Sequence, residues 1–369
     1  MKVVIERAAL LKSLQIISGV VERRQTLPIL SNVLMTATEN HLSLTATDTE
    51  IELVGSVTLT QPAEPGAITV AARKLLDICR ALPEDAVLQF ALEGGHLVLR
   101  SGKSRFMLTT LPSSDFPAFE KSAFITEFAI SQAKLKKLLS KTYFAMGQQD
   151  VRHYLNGALF DINQGAIKCV ATDGHRLAVS SIEDGNISGA DLRVILPRKS
   201  VLELMRLLDA GSEADVKVSI GEHQFRIVST DFIFTSKLIN AQYPDYDKLI
   251  PRSIPNKAVA SREALKQALT RASILSNEKF RGIRLQIDSD LLRIVANNPE
   301  QEEAEELVQL AYQGNSLELG FNAVYLLDVV STMASENISW SFSDSNGGVL
   351  MEPSDEEDRS LYVVMPMLL

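Results

Sequence analysis

One pattern occurs three times along the sequence, and this repeat limits the possible folds more than any other feature. A helix-like segment at 6–14 returns at 131–139 and at 261–269, which are steps of 125 and 130 residues. Units of this length are too long for a solenoid repeat, so the sequence predicts three tandem copies of one domain. The predicted domains are an N-terminal domain 1–125, a central domain 126–253 and a C-terminal domain 254–369.

The elements within each unit follow one order. A polar turn lies in the middle of each unit, as Thr47-Asp48, Thr172-Asp173 and Asn297-Asn298. A second helix-like segment follows each turn, at 72–78, 197–203 and 321–327, and alternating apolar residues then predict about three strands. Ser131 and Ser261 are expected to cap the first helices of their units. Because alternation dominates and every helix has one apolar stripe, we expect an α+β fold with two helices on one side of an antiparallel sheet.

The sequence favours a cytoplasmic protein. It contains no run of about 18 apolar residues, which a membrane-spanning helix would need. Charged residues at 2, 6 and 7 stand where a signal peptide would have its apolar core. Cys79 and Cys169 lie in apolar runs, which favours buried free thiols over a disulfide between them.

The net charge of −9 comes from the last third of the chain. Residues 1–125 carry 12 basic and 13 acidic groups, and residues 126–253 carry 16 and 15. Residues 254–369 carry 9 and 18, with acidic blocks at 300–306 and 352–358. The average charge speaks against a nucleic-acid-binding protein, but the first two units are nearly balanced.

Basic residues cluster on the predicted helices. Residues 131–142 contain four lysines and no acid, and the second helices open with Arg73-Lys74 and Arg198-Lys199. For one helix, a solvated face is the simpler explanation. Because the bias recurs at equivalent places, an alternative is a basic lining that attracts duplex DNA without reading its sequence. A scaffold that binds no nucleic acid remains a further alternative.

The turn 172–176, Thr-Asp-Gly-His-Arg, invites an enzyme hypothesis. Asp173, His175 and Arg176 would form the site of a hydrolase or phosphotransferase. No second His, Cys or paired carboxylate stands at a spacing that would complete a catalytic set. GxxxxGK[ST], HExxH and CxxC are all absent, so we expect neither an enzyme nor a metal or other cofactor.

Six segments are the most distinctive parts of the sequence: 26–30 (TLPIL), 154–157 (YLNG), 171–178 (ATDGHRLA), 275–282 (LSNEKFRG), 296–304 (ANNPEQEEA) and 362–367 (YVVMPM). Together with the repeats, these segments resemble one family, the bacterial DNA polymerase III β subunit or sliding clamp. The similarity covers the whole chain and is specific because many segments carry it.

The resemblance implies a head-to-tail homodimer that closes a six-domain ring around duplex DNA, with helices inside and sheets outside. Such a ring tethers the replicative polymerase and has no catalysis of its own. It implies DNA contacts at Arg24, Arg73, Gln149, Arg152, Tyr154, Arg198 and Lys199. It implies dimer contacts between Lys74, Lys103, Arg105, Phe106 and Leu108 on one side and Ile274, Leu275, Glu300, Glu302, Glu303, Glu305 and Glu306 on the other.

The resemblance also implies a pocket that binds short peptides from partner proteins. The implied partners are the replicative polymerase α subunit, the clamp loader, other polymerases and mismatch-repair proteins. The matching pocket residues are Thr172, Gly174, His175, Arg176, Leu177, Pro244, Leu249, Asn322, Tyr325, Val363, Met365, Pro366 and Met367. A Met-, Pro- and Leu-lined surface can adapt to several peptides. The chain departs from the family pattern at His153, Asp247 and Leu368, which bear on base stacking and peptide preference.

Overall fold

The computed structural model describes residues 1–21, 27–120, 122–163, 165–185, 187, 191–252, 254–342, 347–355 and 357–368. In this part of the chain every repeat contains eight strands and two helices. The first repeat consists of β1 (Lys2–Glu6), α1 (Arg7–Ile17), β2 (Asn32–Ala37), β3 (His41–Thr47), β4 (Ile51–Thr58), β5 (Gly66–Ala71), α2 (Ala72–Ala81), β6 (Val87–Glu93), β7 (His96–Ser101) and β8 (Ser104–Leu111).

The other two repeats have the same order of elements. The second consists of β9 (Phe124–Ser131), α3 (Gln132–Ser140), β10 (Gly157–Asn163), β11 (Ala166–Thr172), β12 (Arg176–Glu183), β13 (Leu192–Pro197), α4 (Arg198–Leu207), β14 (Asp215–Gly221), β15 (Gln224–Val228) and β16 (Phe232–Lys237). The third consists of β17 (Asn256–Ser261), α5 (Arg262–Ser273), β18 (Gly282–Asp288), β19 (Leu291–Asn297), β20 (Glu303–Gln313), β21 (Leu317–Asn322), α6 (Ala323–Thr332), β22 (Asn337–Phe342), β23 (Val349–Pro353) and β24 (Ser360–Val364). The α+β prediction is confirmed, and four strands lie between the two helices of each repeat.

The helices begin and end where local chemistry requires. The Ser261 hydroxyl accepts a hydrogen bond from the Ala264 amide, which caps α5 as the sequence predicts. The Asn322 side chain accepts from the Val324 amide, so α6 begins at Ala323. Leucines at equivalent positions of the three first helices are buried, which explains why the leucine pattern repeats with the domains. They are Leu10 and Leu14, Leu135 and Leu139, and Leu265 and Leu269.

The strands form two antiparallel sheets of twelve strands each, and both sheets cross from one repeat to the next. The first has the order β1-β6-β7-β8-β5-β2-β3-β4-β16-β15-β14-β9. The second has the order β13-β10-β11-β12-β24-β23-β22-β17-β20-β19-β18-β21. The crossing pairs are β4 with β16, where Gly55 lies opposite Phe232, and β12 with β24, where Ser180 lies opposite Ser360.

The chain forms two compact units, and the second repeat contributes to both. The first unit contains residues 1–132 and 206–238, and the second contains residues 133–205 and 239–369. Strands β9 and β14–β16 therefore belong to the first sheet, whereas β10–β13 belong to the second. Within the first unit α1 packs on α2 and on β4, and within the second α5 packs on α6 and on β20.

Two long strands each leave half of one edge open. Strand β8 pairs with β7 over Ser104–Thr109, but with β5 only at Thr110 and Leu111. Strand β20 pairs with β19 over Glu303–Gln309, and with β17 only from Leu310 to Gln313. In the described part of the chain, residues 104–109 and 303–309 thus have no partner strand on their second edge. Such edges are available to another chain.

Candidate functional site

The turn 172–176 is stabilised by its own side chains. The Thr172 hydroxyl donates to the Arg176 carbonyl over 2.7 Å and accepts from the Gly174 amide over 3.1 Å. The Asp173 carboxylate accepts from the amides of His175 and Arg176 over 2.9 and 3.0 Å. Gly174 has a φ of +88°, which favours glycine. Asp173 therefore has a structural role in shaping the turn.

The equivalent turn of the first unit has the same construction. Thr47 donates to the Ile51 carbonyl over 2.8 Å, and the Asp48 carboxylate accepts from the amides of Glu50 and Ile51. A turn that recurs with the same hydrogen bonds needs no catalytic explanation. Among the described residues no group of three or more His, Cys, Asp or Glu side chains could hold a metal ion.

Arg176 is nearly buried and fixes the turn against its neighbours. Its guanidinium contacts Asp173 over 3.1 Å, forms an ion pair with Asp328 and donates to the Phe144 carbonyl over 2.7 Å. It also lies over the rings of Phe144 and Tyr325, with its central carbon 5.2 and 4.6 Å from their centroids. Arg176 thus holds the turn and α6 in a fixed geometry.

A cavity of about 310 Å³ lies beside this turn, with all its lining residues in the second unit. Its lining is mainly apolar, which suits an apolar ligand. The lining residues are Arg152, Tyr154, Leu155, Thr172, Gly174, Arg176, Leu177, Pro244, Leu249, Val363 and Met365. We call this cavity the docking pocket. The buried residues Tyr243, Leu177 and Val363 belong to the core beneath it, and the Tyr243 hydroxyl accepts from the Thr172 amide over 3.1 Å.

Eight of the thirteen predicted pocket residues line the docking pocket, and the other five support or flank it. His175 stacks on Tyr325 at 5.9 Å, and its carbonyl accepts from the Met365 amide, which extends the β12–β24 pairing. The Met367 amide donates to the Gly320 carbonyl of β21, so backbone hydrogen bonds hold the chain on both sides of Pro366. Asn322 caps α6. Leu155 was not predicted, although it lies within the segment 154–157 that carries the resemblance.

Two residues that the resemblance assigns to DNA, Arg152 and Tyr154, also line the docking pocket. Arg152 forms a two-point ion pair with Asp150, with N–O distances of 3.0 and 2.8 Å. This hydrogen bonding lowers the pKa of Asp150 to about 2. The pair therefore stays charged at neutral pH.

The other predicted DNA contacts occupy different settings. Arg73 and Gln149 are exposed, and Gln149 has a φ of +55°. Arg198 donates to the carbonyls of Tyr143 and Met146, both over 3.3 Å, and Lys199 is partly buried. Arg24 lies outside the described residues.

The lysine-rich helix α3 differs from the simple basic face that its sequence suggests. Lys134 forms an ion pair with Asp184 over 2.6 Å. Lys141, just after the helix, is buried in an ion pair with Asp358, so it is not exposed to a ligand. Acids from distant segments thus balance a helix that contains no acid of its own.

The predicted dimer residues divide by exposure. Lys74, Lys103 and Arg105 are exposed and Phe106 is half-buried, whereas Leu108 packs in the core of the first unit. In the second unit Ile274 is 72% exposed, Leu275 is half-buried, and Glu300 and Glu303 are exposed. Glu306 already forms a two-point ion pair with Arg271 of its own chain, with N–O distances of 2.7 and 2.6 Å. Met107 and Leu307, each 57% exposed, are apolar edge residues that were not predicted.

Both cysteines are free and buried, as the sequence predicts. Burial raises the pKa of each thiol to about 12, so neither acts as a thiolate nucleophile at neutral pH. No helix in the described part of the chain has the length and apolar character needed to cross a membrane.

Comparisons with known proteins match the chain along its whole length. Three family profiles match in succession: the N-terminal domain of the DNA polymerase III beta subunit over residues 1–120, the central domain over 129–245 and the C-terminal domain over 247–368. The beta sliding clamp of Pseudomonas aeruginosa is 52% identical over 366 residues, which is 99% of either chain. The crystal structure of DNA polymerase III subunit beta from Pseudomonas aeruginosa has a TM-score of 0.97 at 50% identity. A sliding clamp from the same organism bound to griselimycin has a TM-score of 0.96 at 51% identity, and both comparisons cover 100% of either chain.

Proposed function

The chain belongs to the DNA polymerase III β subunit family of sliding clamps, and we propose from this premise that two copies close head to tail into a ring around duplex DNA. Its function is that of a sliding clamp, which tethers the replicative polymerase to DNA and has no catalysis of its own. The observation that carries this function is the match of all three repeats to clamp domains, together with 52% identity to the Pseudomonas aeruginosa clamp over 366 residues. Nothing favours the alternative of a hydrolase or phosphotransferase at Asp173.

The junctions between repeats support the ring and give it a register. In β4–β16 and β12–β24, the strand after the mid-unit turn pairs with the last strand of the next repeat. By the same rule β20 of the third repeat should pair with β8, the last strand of the first repeat in a second copy. These are the two strands whose edges are half open. Because the pairing is heterologous and closes after two copies, it yields a ring rather than a filament.

The repeat predicts which residues face each other across this interface. The hairpins pair Thr47 with Glu52, Thr172 with Leu177 and Asn297 with Glu303, which makes Gly55, Ser180 and Glu306 equivalent. In the two observed junctions, Phe232 lies opposite Gly55 and Ser360 lies opposite Ser180. Ser104 is the residue of the first repeat that is equivalent to Phe232 and Ser360. Ser104 should therefore lie opposite Glu306 of the partner subunit. It follows that Arg105 lies opposite Glu305 and Phe106 opposite Ala304.

Charged and apolar groups should have different roles at this interface. The basic β8 edge and the acidic β20 edge set the register, because exposed ion pairs contribute little to affinity. Glu305 and Glu306 are also shared with Arg293 and Arg271 of their own chain. The exposed apolar residues Met107, Leu307 and Ile274 should supply most of the binding free energy when they leave water.

We propose that the residues predicted to contact DNA bind its phosphates without reading the base sequence. Arg73 and Gln149 are exposed, and Arg198 and Lys199 begin the second helix of the central repeat. Arg24 belongs to the same proposal. Each phosphate contact releases counterions, so affinity should fall steeply as salt rises.

The docking pocket should bind a short apolar peptide segment of each partner protein. Its lining combines Leu155, Leu177, Val363 and Met365 with Pro244, and Met365 is 42% exposed at the mouth. The proposed partners are the replicative polymerase α subunit, the clamp loader, other polymerases and mismatch-repair proteins. Griselimycin, bound by the Pseudomonas aeruginosa clamp, is the proposed small-molecule ligand of the same pocket. Partners of this kind place the protein in the cytoplasm, at the nucleoid during replication.

The test of the ring is retention on DNA of different topology. The protein is loaded by the Pseudomonas aeruginosa clamp loader onto nicked circular plasmid in moderate salt, and half of the sample is then linearised. Encirclement predicts retention on the circle and loss from the linear ends. Equal retention on both forms would mean ordinary surface binding and would contradict the ring.

A further inference from the structure

Arg152 is shared between the docking pocket and a loop that carries a proposed DNA contact. We define the Gln149 loop as residues 147–156. The loop is closed at its base by the Gly147 amide, which donates to the Leu155 carbonyl over 2.8 Å. The Asn156 side chain accepts from the Asp150 amide over 2.9 Å and donates to the Asp150 carbonyl over 2.8 Å. The loop is therefore one compact piece with Gln149 at its exposed tip.

Asp150 attaches the Arg152 side chain to this loop. Its carboxylate accepts from the Arg152 amide over 2.8 Å and from two guanidinium nitrogens over 3.0 and 2.8 Å. Both residues flank the backbone of Val151, an 88% exposed apolar residue. Movement of the loop therefore moves the guanidinium.

The guanidinium nitrogen Nη2, which donates to Asp150, also contacts the turn of the docking pocket. This nitrogen donates to the Asp173 carbonyl over 3.3 Å, which is the longest of the Arg152 hydrogen bonds. Gly174 has no side chain, and a Cβ there would lie only 3.0 Å from Nη2. The arginine side chain remains 47% exposed. The Arg152 side chain thus forms part of the pocket wall and is also accessible to a ligand from solvent.

We propose that Arg152 is a positioning residue that couples the docking pocket to DNA, so that each ligand weakens the binding of the other. A phosphate beside Gln149 would attract the guanidinium, and the 3.3 Å contact with Asp173 would break before the two-point pair with Asp150. The pocket would then lose part of its wall. The inference rests on the proposed function, since it requires both DNA at the loop and a ligand in the pocket.

The coupling is measured with griselimycin and a short primed duplex at low salt. The dissociation constant of griselimycin for the wild-type protein is expected to rise about five-fold when the duplex is saturating. By linkage, saturating griselimycin should raise the dissociation constant of the duplex by the same factor. In Arg152→Ala both factors should fall to one. Asp150→Asn keeps the arginine but removes its attachment to the loop, so its factors should fall as well.

Two control variants isolate Arg152. Lys248→Ala also removes one positive charge, next to the pocket residue Leu249, but leaves the lining of the docking pocket intact. The five-fold rise in the griselimycin dissociation constant should therefore remain. Gln149→Ala should weaken the duplex while it preserves the coupling. A wild-type factor of one, or an unchanged factor in Arg152→Ala, would overturn the coupling and leave the pocket assignment standing. A free protein that does not bind griselimycin would overturn the pocket assignment and the coupling together.

Discussion

Several polar residues of the site act through the backbone geometry they impose. Asp173 and Thr172 form hydrogen bonds within the turn, and Arg176 packs that turn against Tyr325 and Phe144. Such residues look catalytic in the sequence because catalysis uses the same residue types. Turn-forming residues differ from catalytic ones in their hydrogen-bond partners, and only the tertiary structure shows those partners.

Gly174→Ala should both destabilise the protein and weaken griselimycin binding. The backbone at φ +88° costs about 1–2 kcal/mol for an L-residue, and the new Cβ would push Arg152 out of the pocket wall. Chemical denaturation measures the first effect and titration calorimetry the second. Gly95→Ala is the matched control, because Gly95 has a φ of +79° and no atom within 4 Å of a Cβ. Gly95→Ala should lose stability but keep its affinity for griselimycin. An equal loss of griselimycin affinity in both variants would contradict the contact between residue 174 and Arg152.

Lys141→Met should destabilise the protein by about 3–5 kcal/mol, because it leaves Asp358 buried without its cation. The double variant Lys141→Met, Asp358→Leu should recover a large part of this loss, since no charge is then buried. Denaturant unfolding gives both values. As a control, Lys248→Met removes an exposed pair and should change stability little. If the double variant is no more stable than Lys141→Met, the buried charge is not the cause.

The same ion pair gives a pH dependence. Burial alone would raise the pKa of Asp358, but hydrogen bonds from Lys141 and Ser360 outweigh it and hold the pKa below its ordinary value. Its stabilising contribution is therefore complete above the ordinary value of about 3.9 and is lost as pH falls through the lowered pKa. As pH falls into the acid range, the free energy of unfolding of the wild type should therefore decrease relative to that of the double variant. A difference independent of pH down to acid unfolding would contradict this assignment.

At the scale of elements, the repeat determines which strands pair between neighbouring repeats. The order of strands in the first sheet puts β4 beside β16, and the second sheet puts β12 beside β24. Alternation of apolar residues predicts that these segments are strands but not which strands pair. Pairing between repeats depends on which edges remain open after each repeat folds.

Charge reversal tests the register of β8 against β20. Arg105→Glu and Glu305→Arg should each raise the dissociation constant of the dimer about ten-fold, because like charges directly opposite repel. The two single variants mixed together should form a heterodimer junction of near-normal affinity. Sedimentation velocity measures the association. Lys217→Glu on strand β14, which lies far from β8 in the order of the sheet, is the control and should dimerise normally. Mixing that restores nothing would contradict the proposed opposition of Arg105 and Glu305.

At the scale of the whole molecule, the docking pocket and the proposed ring are separable. Every residue that lines the pocket belongs to one chain and to its second unit. The ring, in contrast, needs two chains. A monomeric variant should therefore still bind ligands in the docking pocket but should no longer form the ring.

Ile274→Ala combined with Leu275→Ala should produce monomers that still bind griselimycin. Ile274 is 72% exposed, so its removal costs the folded protomer little but deletes apolar area from the dimer. Sedimentation, griselimycin titration and plasmid retention are measured on one preparation, and retention on circular plasmid should be lost. Val151→Ala, which removes another exposed apolar residue, is the control and should leave the dimer intact. A stable dimer in the double variant would contradict the interface.

The sequence by itself determined the fold class, the threefold repeat and the family, because these depend on periodicity and on many short segments at fixed spacing. It also marked the turn 172–176 and the segment 362–367, both of which contribute to the pocket. Composition could not show that Lys141 is neutralised by Asp358, since the two residues are 217 positions apart.

The tertiary structure alone decided which side chains share a cavity. Arg152 enters the docking pocket because Gly174 leaves room for its guanidinium and Asp150 aims it there. Leu108 turns into the core while Met107 faces outward, which alternation permits in either register until the sheet is packed. Local pattern fixes what each segment becomes, and long-range packing fixes which segments meet, because contact energies depend on distances that no sequence spacing specifies.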